Sequence, residues 1–456
     1  MNLYFTTILL VIYFVAFTQR VLKLTFKLIM KTKILVLAYA ISPTRGSEYS
    51  VAWNYVTNMS KDNELVVLYG MSGNHMGDTS ELEQYILKNP IPDVRFIAIH
   101  PNKTANLLNS LNKKGILVYS FYLAYTIWHK QVFNIAKILT SQEHFDLIHF
   151  LGPIGYREPG YLWKLPFPYI RGPIGGTTNI SIKLIKSLPL AGKIKLGFRA
   201  IANDLQLNLK KRIRKSIDNT DVFLSATTEN QIIIKKKFKI NSVYIPENGI
   251  NGIIKERIFN QFIQSPIILI WIGSLDDRKA LITLLKALIK VENLDKIQLH
   301  IVGEGPLKQQ LEDFAINNNL NQHIEWHGAV QREKVFELLS KSHLNIITSV
   351  SEGNPTTIWE AMSFGVPTIS LDHCGMHDTI CEKCGVKIPI NSYEQVINDL
   401  AFQLDHLIIN PLEIEKLSTG VIECAKKYTW EQRRVFFNRM YDLAIENWKN
   451  KTYIKT

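Results

Sequence analysis

Short apolar runs alternate with segments of helical period along most of this chain, and after a polar interruption the alternation begins again. Runs that are apolar at nearly every position suit strands covered on both faces, and such strands belong to parallel sheets whose crossovers are helices. The chain is therefore expected to be α/β, with two doubly wound sheets in succession. In the first half, strands are expected at 33–38, 64–69, 94–99, 146–150 and 221–225, with an amphipathic helix at 47–60. A connector containing Gly and Asn, at 246–265, precedes the restart. Beyond it, IILIWIG, LHIVGEG, IEWHGAV, LNIITSV and PTISL read as strands, and LITLLKALIKV, PLKQQLEDFAINN and REKVFELLSK as the helices between them. No internal repeat or low-complexity segment interrupts the pattern.

A length of 456 residues suits two large domains better than one. Hydrophobic residues at 46% can fill packed cores, which excludes a wholly disordered or collagen-like chain. Four cysteines, all beyond position 373, offer no disulfide framework and suit a reducing, cytoplasmic compartment. Fifty-three Lys and Arg against 40 Asp and Glu leave a charge of +13, which favours anionic partners: phosphates, acidic lipid or nucleic acid.

Residues 3–17 are uncharged and almost wholly apolar, somewhat short of the ~20 residues that span a bilayer. No positive charge precedes the run and no small-residue cleavage site follows, which argues against a secretory signal. Arg20, Lys23, Lys27, Lys31 and Lys33 come next and would hold the following chain at the inner face of the membrane. Two readings stand: residues 1–29 are a tether, or the true start is Met30, whose MKTKILVLAYA opens like the first strand of an α/β domain. From 181 to 240, 14 Lys and Arg accompany 4 Asp and Glu, mixed with apolar residues at helical spacing. That pattern suits a helix on an anionic membrane surface or a solvated basic face, and no nucleic-acid recognition module is present.

Two sheets joined by a short linker leave a cleft between the carboxyl ends of their strands, where open α/β sheets place ligands. The stretch 349–378 is the most informative part of that region. Glu352 follows the strand LNIITSV, Pro355 is placed as a first helical residue, and Glu360 lies further along the helix. The free amides of Thr356, Thr357 and Ile358, with the helix dipole, would face an anion, and a diphosphate suits them. No Asp-x-Asp pair occurs in the chain, which removes the usual carboxylate holder of a divalent ion on diphosphate. Arg278 and Lys279, at a strand-to-helix turn, remain as cations for a leaving group; outside this context such a pair reads as a solvated surface feature.

Glu352 and Glu360, separated by seven residues and followed by AMSFGVPTISLDHCGMHD, resemble the Glu-x7-Glu signature of glycosyltransferase family 4. WIGSLDDRKALITLLKAL, LHIVGEGPLKQQLEDFA, SPTRGSEYSVAWNYV and YLWKLPFPYIRGPIGG resemble further segments of that family. The resemblance implies a GT-B fold, two Rossmann-like domains facing across a cleft, and a retaining transfer with no cofactor and no metal. It implies donor domain residues 251–430, an acceptor-side domain at 30–250 and a terminal helix at 431–456 packing back on the latter. It also implies that Glu352 contacts hydroxyls of the donor sugar, that Glu360 hydrogen-bonds the nucleotide ribose and that Lys279 contacts phosphate. Gly273, Ser274, Arg278, Asn354, Pro355, Thr356 and Thr357 complete the donor set. Ser274 stands where the family usually has an arginine, and a serine supplies no guanidinium fork.

In the N-terminal half, Gly46 allows close backbone approach, and Ser47 either caps the following helix or touches ligand. Gly172, Gly175 and Gly176 either line the cleft or form a plain turn. His149 is expected at the cleft end of its strand, where relatives often carry a donor-contacting histidine; a structural histidine is the competing reading. Cys381-x-x-Cys384 with Cys374, His373 and His377 nearby is too little for a zinc site by spacing alone, since structural sites present two separated pairs.

The expected activity is sugar transfer from a nucleotide sugar to a glycan or lipid-linked acceptor, which the resemblance places in bacterial cell-surface polysaccharide or lipopolysaccharide synthesis. A nucleotide-sugar epimerase or hydrolase on the same scaffold, or a non-catalytic carbohydrate- or membrane-binding protein, are the alternatives.

Overall fold

The computed structural model describes residues 31–46, 48–117, 120–185, 197, 201, 211–252 and 266–455. The apolar N-terminal run, Ser47 and much of the basic 181–240 window lie outside these residues. Among the described residues no helix is long and apolar enough to cross a membrane.

Seven parallel strands form the first sheet: β1 (Thr32–Ala38), β2 (Asn63–Tyr69), β3 (Val94–Ala98), β4 (Leu147–Gly152), β5 (Tyr169–Ile174), β6 (Val222–Ser225) and β7 (Val243–Tyr244). Their order is β3-β2-β1-β4-β5-β6-β7. Six more form the second: β8 (Ile267–Ile272), β9 (Ile297–Val302), β10 (Ile324–Gly328), β11 (Leu344–Ile347), β12 (Thr368–Leu371) and β13 (Gly385–Ile388), in the order β10-β9-β8-β11-β12-β13. Counted within its own sheet, each follows the 3-2-1-4-5-6 order of doubly wound folds, so one arrangement occurs twice without any repeat in the sequence. Ile34, Leu35, Val36 and Leu37 of β1 are all fully buried, as strands covered by helices on both faces must be.

Three strands escape the apolar-run reading. β5 carries Arg, Gly and Pro within six residues, with a register shift against β6 between Arg171 and Ile174. β7 has two residues, and β13 has Lys387 in its centre. Gly172 therefore lies in a strand with φ +118°, a conformation that glycine alone adopts readily, rather than in a turn at the cleft.

The last helix, Trp430–Lys455, packs on the first sheet. Trp430, Phe437, Met440, Tyr441 and Ala444 share one core with Ile34, Val36 and Tyr55. The chain thus passes from the first lobe to the second after β7 and returns at 426–429. The two passages touch: Ile250 pairs with Thr429, and the Arg433 guanidinium donates to the Pro246 carbonyl at 2.8 Å.

Candidate active site

The order of a doubly wound sheet reverses between its first and fourth strands, and the loops leaving those two strands splay apart to leave a crevice. In the first sheet these are the loops after β1 and β4; in the second, those after β8 and β11. The two crevices face each other across one cleft of about 1090 Å³. Gly46, Glu48, Tyr49, Ile154, Gly176 and Glu247 line one wall, and Gly273, Arg278, Lys279, Arg332, residues 351–357 and Glu360 line the other.

The loop after β8 is held by its own side chains. Asp276 accepts from the Lys279 amide at 2.9 Å, closing a turn that places Lys279 just before the helix Leu281–Leu288. Two hydrogen bonds tie that turn to the loop after β11: Val350 N–H donates to the Arg278 carbonyl and Thr348 Oγ1 to the Lys279 carbonyl, each at 2.9 Å. Trp271 Nε1 in turn donates to Thr348 Oγ1 at 3.0 Å. The two cations therefore arrive beside Glu352 on a rigid frame. Glu352 Oε2 accepts from Arg278 Nη1 at 2.8 Å and from Lys279 Nζ at 2.5 Å.

The helix Thr356–Ser363 opens into the same cleft, with Pro355 as its N-cap rather than its first helical residue. Asn354 is buried and donates to the Ala226 carbonyl at 2.9 Å, which pins the helix entrance against the first lobe. Gly375 N–H donates to the Gly353 carbonyl at 2.8 Å; a side chain on Gly375 would collide with that oxygen. Lower down the helix, Glu360 pairs with Arg332 at 3.2 Å. Burial raises the pKa of the Glu360 carboxyl, and the Arg332 charge partly offsets the rise.

Arg332 and Glu247 are site residues that sequence motifs did not select, and Glu48, in the first turn of the helix after Gly46, joins them on the wall of the cleft. Glu247 sits in the passage between lobes, where its carboxyl accepts the Asn354 amide. Burial raises its pKa well above the usual carboxylate range, and the nearby Glu48 and Glu352 charges raise it further. The lobes also meet where Asp378 accepts from the Thr228 amide at 2.8 Å. Ser274 is exposed on its loop and does not line the cleft, whereas Gly273 does.

His149 does not reach the site. Its strand runs on to Gly152, so the residue lies in mid-strand and its ring is fully buried. Nε2 bonds the Gly172 carbonyl at 2.8 Å, and Nδ1 meets the Tyr55 hydroxyl at 2.9 Å beside Tyr441. Burial lowers its pKa to about 4, opposed by the Gly172 bond. The placement expected from the sequence is thus overturned, and His149 is a core residue joining the first sheet to the terminal helix.

Residues 253–411 match the family model described as Glycosyl transferases group 1. An uncharacterized glycosyltransferase of Methanocaldococcus jannaschii is 23% identical over 318 residues, covering 68% of this chain and 79% of that protein. The lipopolysaccharide 1,6-galactosyltransferase of Escherichia coli is 34% identical over 77 residues, 16% of this chain and 21% of its own length. Among solved structures, sucrose-phosphate synthase from Thermosynechococcus elongatus has a TM-score of 0.60 at 15% identity, covering 90% of this chain and 98% of that one. The pneumococcal O-GlcNAc transferase GtfA, solved with UDP and GlcNAc, has a TM-score of 0.60 at 12% identity, with 91% and 99% covered. At such identities the structural likeness speaks for the fold, and the family model speaks for residues 253–411. The protein is a glycosyltransferase of GT-B architecture.

Proposed function

We propose that this enzyme moves a sugar from a nucleoside-diphosphate sugar to an acceptor hydroxyl, with retention of anomeric configuration and without a divalent ion on the diphosphate. The observation that carries the reading is the convergence of Arg278, Lys279 and the start of the helix Thr356–Ser363 on one wall of the cleft. Breaking the bond from sugar to diphosphate gathers negative charge on the departing oxygen, and fixed cations with helix amides stabilise it as it forms.

In this reading the diphosphate competes with Glu352 for Arg278 and Lys279. Once displaced, the Glu352 carboxylate accepts hydroxyls of the donor sugar, while Glu360, held by Arg332, accepts those of the ribose. The acceptor enters from the wall of the first lobe, past Glu48 and Glu247. It attacks the face from which the diphosphate departs, and the departing oxygen takes its proton. Asn354, Gly273 and the Thr356 and Thr357 amides position the phosphates.

Purified protein incubated with nucleotide sugars and excess chelator tests this directly. Release of nucleoside diphosphate, sharply reduced in Lys279→Met and Glu360→Ala, supports the proposal, and NMR of the product reads its anomeric configuration. Activity that needs an added divalent ion would sink the metal-free part.

A lipid-linked or lipid-embedded acceptor is favoured by the exposed surface of the first lobe. Where the helices Lys103–Lys113 and Ser120–Gln142 adjoin, Ile116, Leu117, Tyr122 and Leu123 are exposed next to Lys113 and Lys114. Within the described part of the basic window, Lys211, Arg214, Lys215, Lys235 and Lys236 are exposed as well. Apolar side chains rimmed by cations suit an anionic bilayer surface. A role in cell-surface polysaccharide or lipopolysaccharide assembly fits that placement.

A further inference from the structure

We propose that Cys381, Cys384 and Cys424 bind one Zn²⁺ at a site separate from the donor cleft, which none of the three lines. By spacing alone the Cys-x-x-Cys lacks a partner; the fold supplies one in Cys424, on the helix Pro411–Ala425. Cys381 Sγ lies 3.6 Å from Cys384 Sγ and 3.4 Å from Cys424 Sγ. Sulfurs around a tetrahedral zinc, each about 2.3 Å from it, are about 3.8 Å apart, so these two edges need to open by only a few tenths of an ångström, and all three sulfurs already lie within 4.8 Å of one another. A disulfide needs sulfurs at about 2.05 Å, and all four cysteines are free thiols.

The local backbone favours ligand geometry. Cys384 N–H donates to the Cys381 carbonyl at 2.9 Å, closing a tight turn, and Cys381 N–H points at Cys384 Sγ at 3.3 Å. Cys384 and Cys424 are buried while Cys381 is exposed, so an ion has a route from solvent and a water can complete four-coordination. Soft thiolates at this spacing select zinc over magnesium or calcium.

Such an ion would join three pieces of the second lobe: the turn after the helix Cys374–Thr379, the start of β13 and the end of the helix Pro411–Ala425. The helix that leads into the first of these abuts the cleft through Gly375 and Gly353, and the last leads into the return passage at 426–429. The site is a clip behind the donor wall.

The test uses the full chain, purified under reducing conditions and equilibrated with Zn²⁺. One zinc per chain is expected by elemental analysis, and Co²⁺ in its place should show thiolate charge-transfer bands with tetrahedral d–d absorption. Cys381→Ser and Cys424→Ser should each weaken zinc by at least about tenfold. A chelator should lower the Tm of the wild type and leave that of Cys381→Ser unchanged. Should Cys424→Ser fail to fold, the exposed Cys381→Ser keeps the question answerable. Zinc held equally well by both variants would overturn the proposal. So would unreduced protein lighter by two hydrogens with Cys381 joined to Cys424.

Discussion

Lys279 Nζ lies 2.5 Å from Glu352 Oε2, joining the turn after β8 to the loop after β11 on one wall of the cleft. Both side chains are 14% exposed, so the pair is shielded from bulk water and screened less than a surface ion pair. Lys279→Met should lower kcat/KM by about 10²- to 10³-fold, as expected for removal of one preorganised donor to a developing oxyanion. Calorimetry should show weaker binding of nucleoside diphosphate. Unchanged turnover in this variant would remove Lys279 from the chemistry.

Glu360 lies at the far end of the same wall, on Arg332. Glu360→Gln should weaken nucleoside diphosphate by about 1 kcal/mol, roughly fivefold, and leave inorganic pyrophosphate binding as it was. Equal losses for both ligands would place this carboxylate on phosphate rather than on ribose.

The raised pKa of Glu247 makes stability depend on pH in a definite direction. The folded chain keeps that proton at pH values where the unfolded chain has lost it, so the native state binds more protons and stability falls as pH rises. The contribution is complete below the ordinary value of 4.5 and is lost as pH climbs through the higher folded value. Glu247→Gln should therefore raise Tm at pH 8 by about 2–4 °C, with the difference vanishing near pH 4. Thermal melts across that range decide it; a constant offset would show that packing, not ionisation, was altered.

His149 behaves in the opposite sense. Its pKa, lowered from 6.5 to about 4, gives stability that is present above pH 6.5 and lost as pH falls toward 4. His149→Gln should cost about 1–3 kcal/mol of stability through the broken Tyr55 and Gly172 bonds. It should keep kcat/KM within a few-fold of wild type. A collapse of turnover in correctly folded variant protein would restore the histidine to the reaction.

Ser at both Leu117 and Leu123 should reduce sedimentation with vesicles containing phosphatidylglycerol by about tenfold while Tm stays the same, because both side chains already face water. Equal sedimentation of wild type and variant would move any bilayer contact elsewhere on the chain.

The second lobe was legible because its site is local in sequence. Glu352, Pro355 and Glu360 lie on one loop and the helix it enters, and Arg278 and Lys279 on one turn, so strand, turn and helix signals placed them together. The rest of the cleft was less readable. Glu247 and Arg332 come to the cleft only through tertiary folding, and nothing in their neighbours marks them. His149 was misplaced because a strand's end is uncertain by a residue or two, and the strand's continuation to Gly152 moves the ring away from the cleft. β5 was hidden by its Arg171, buried and bonded to the Tyr156 carbonyl and the Ser216 hydroxyl, and by the Gly-Pro pair within it.

The terminal helix begins in the second lobe's tail and ends in the core of the first, so the halves of this molecule are not consecutive blocks of sequence. Anyone exchanging the donor-binding half for that of a relative must cut at two seams, near Ile250 and near Thr429, and keep the last stretch with its original partner. A graft joined at a single seam would strip Phe437 and Tyr441 from beneath Tyr55, and the recipient half would be left with an open hydrophobic floor.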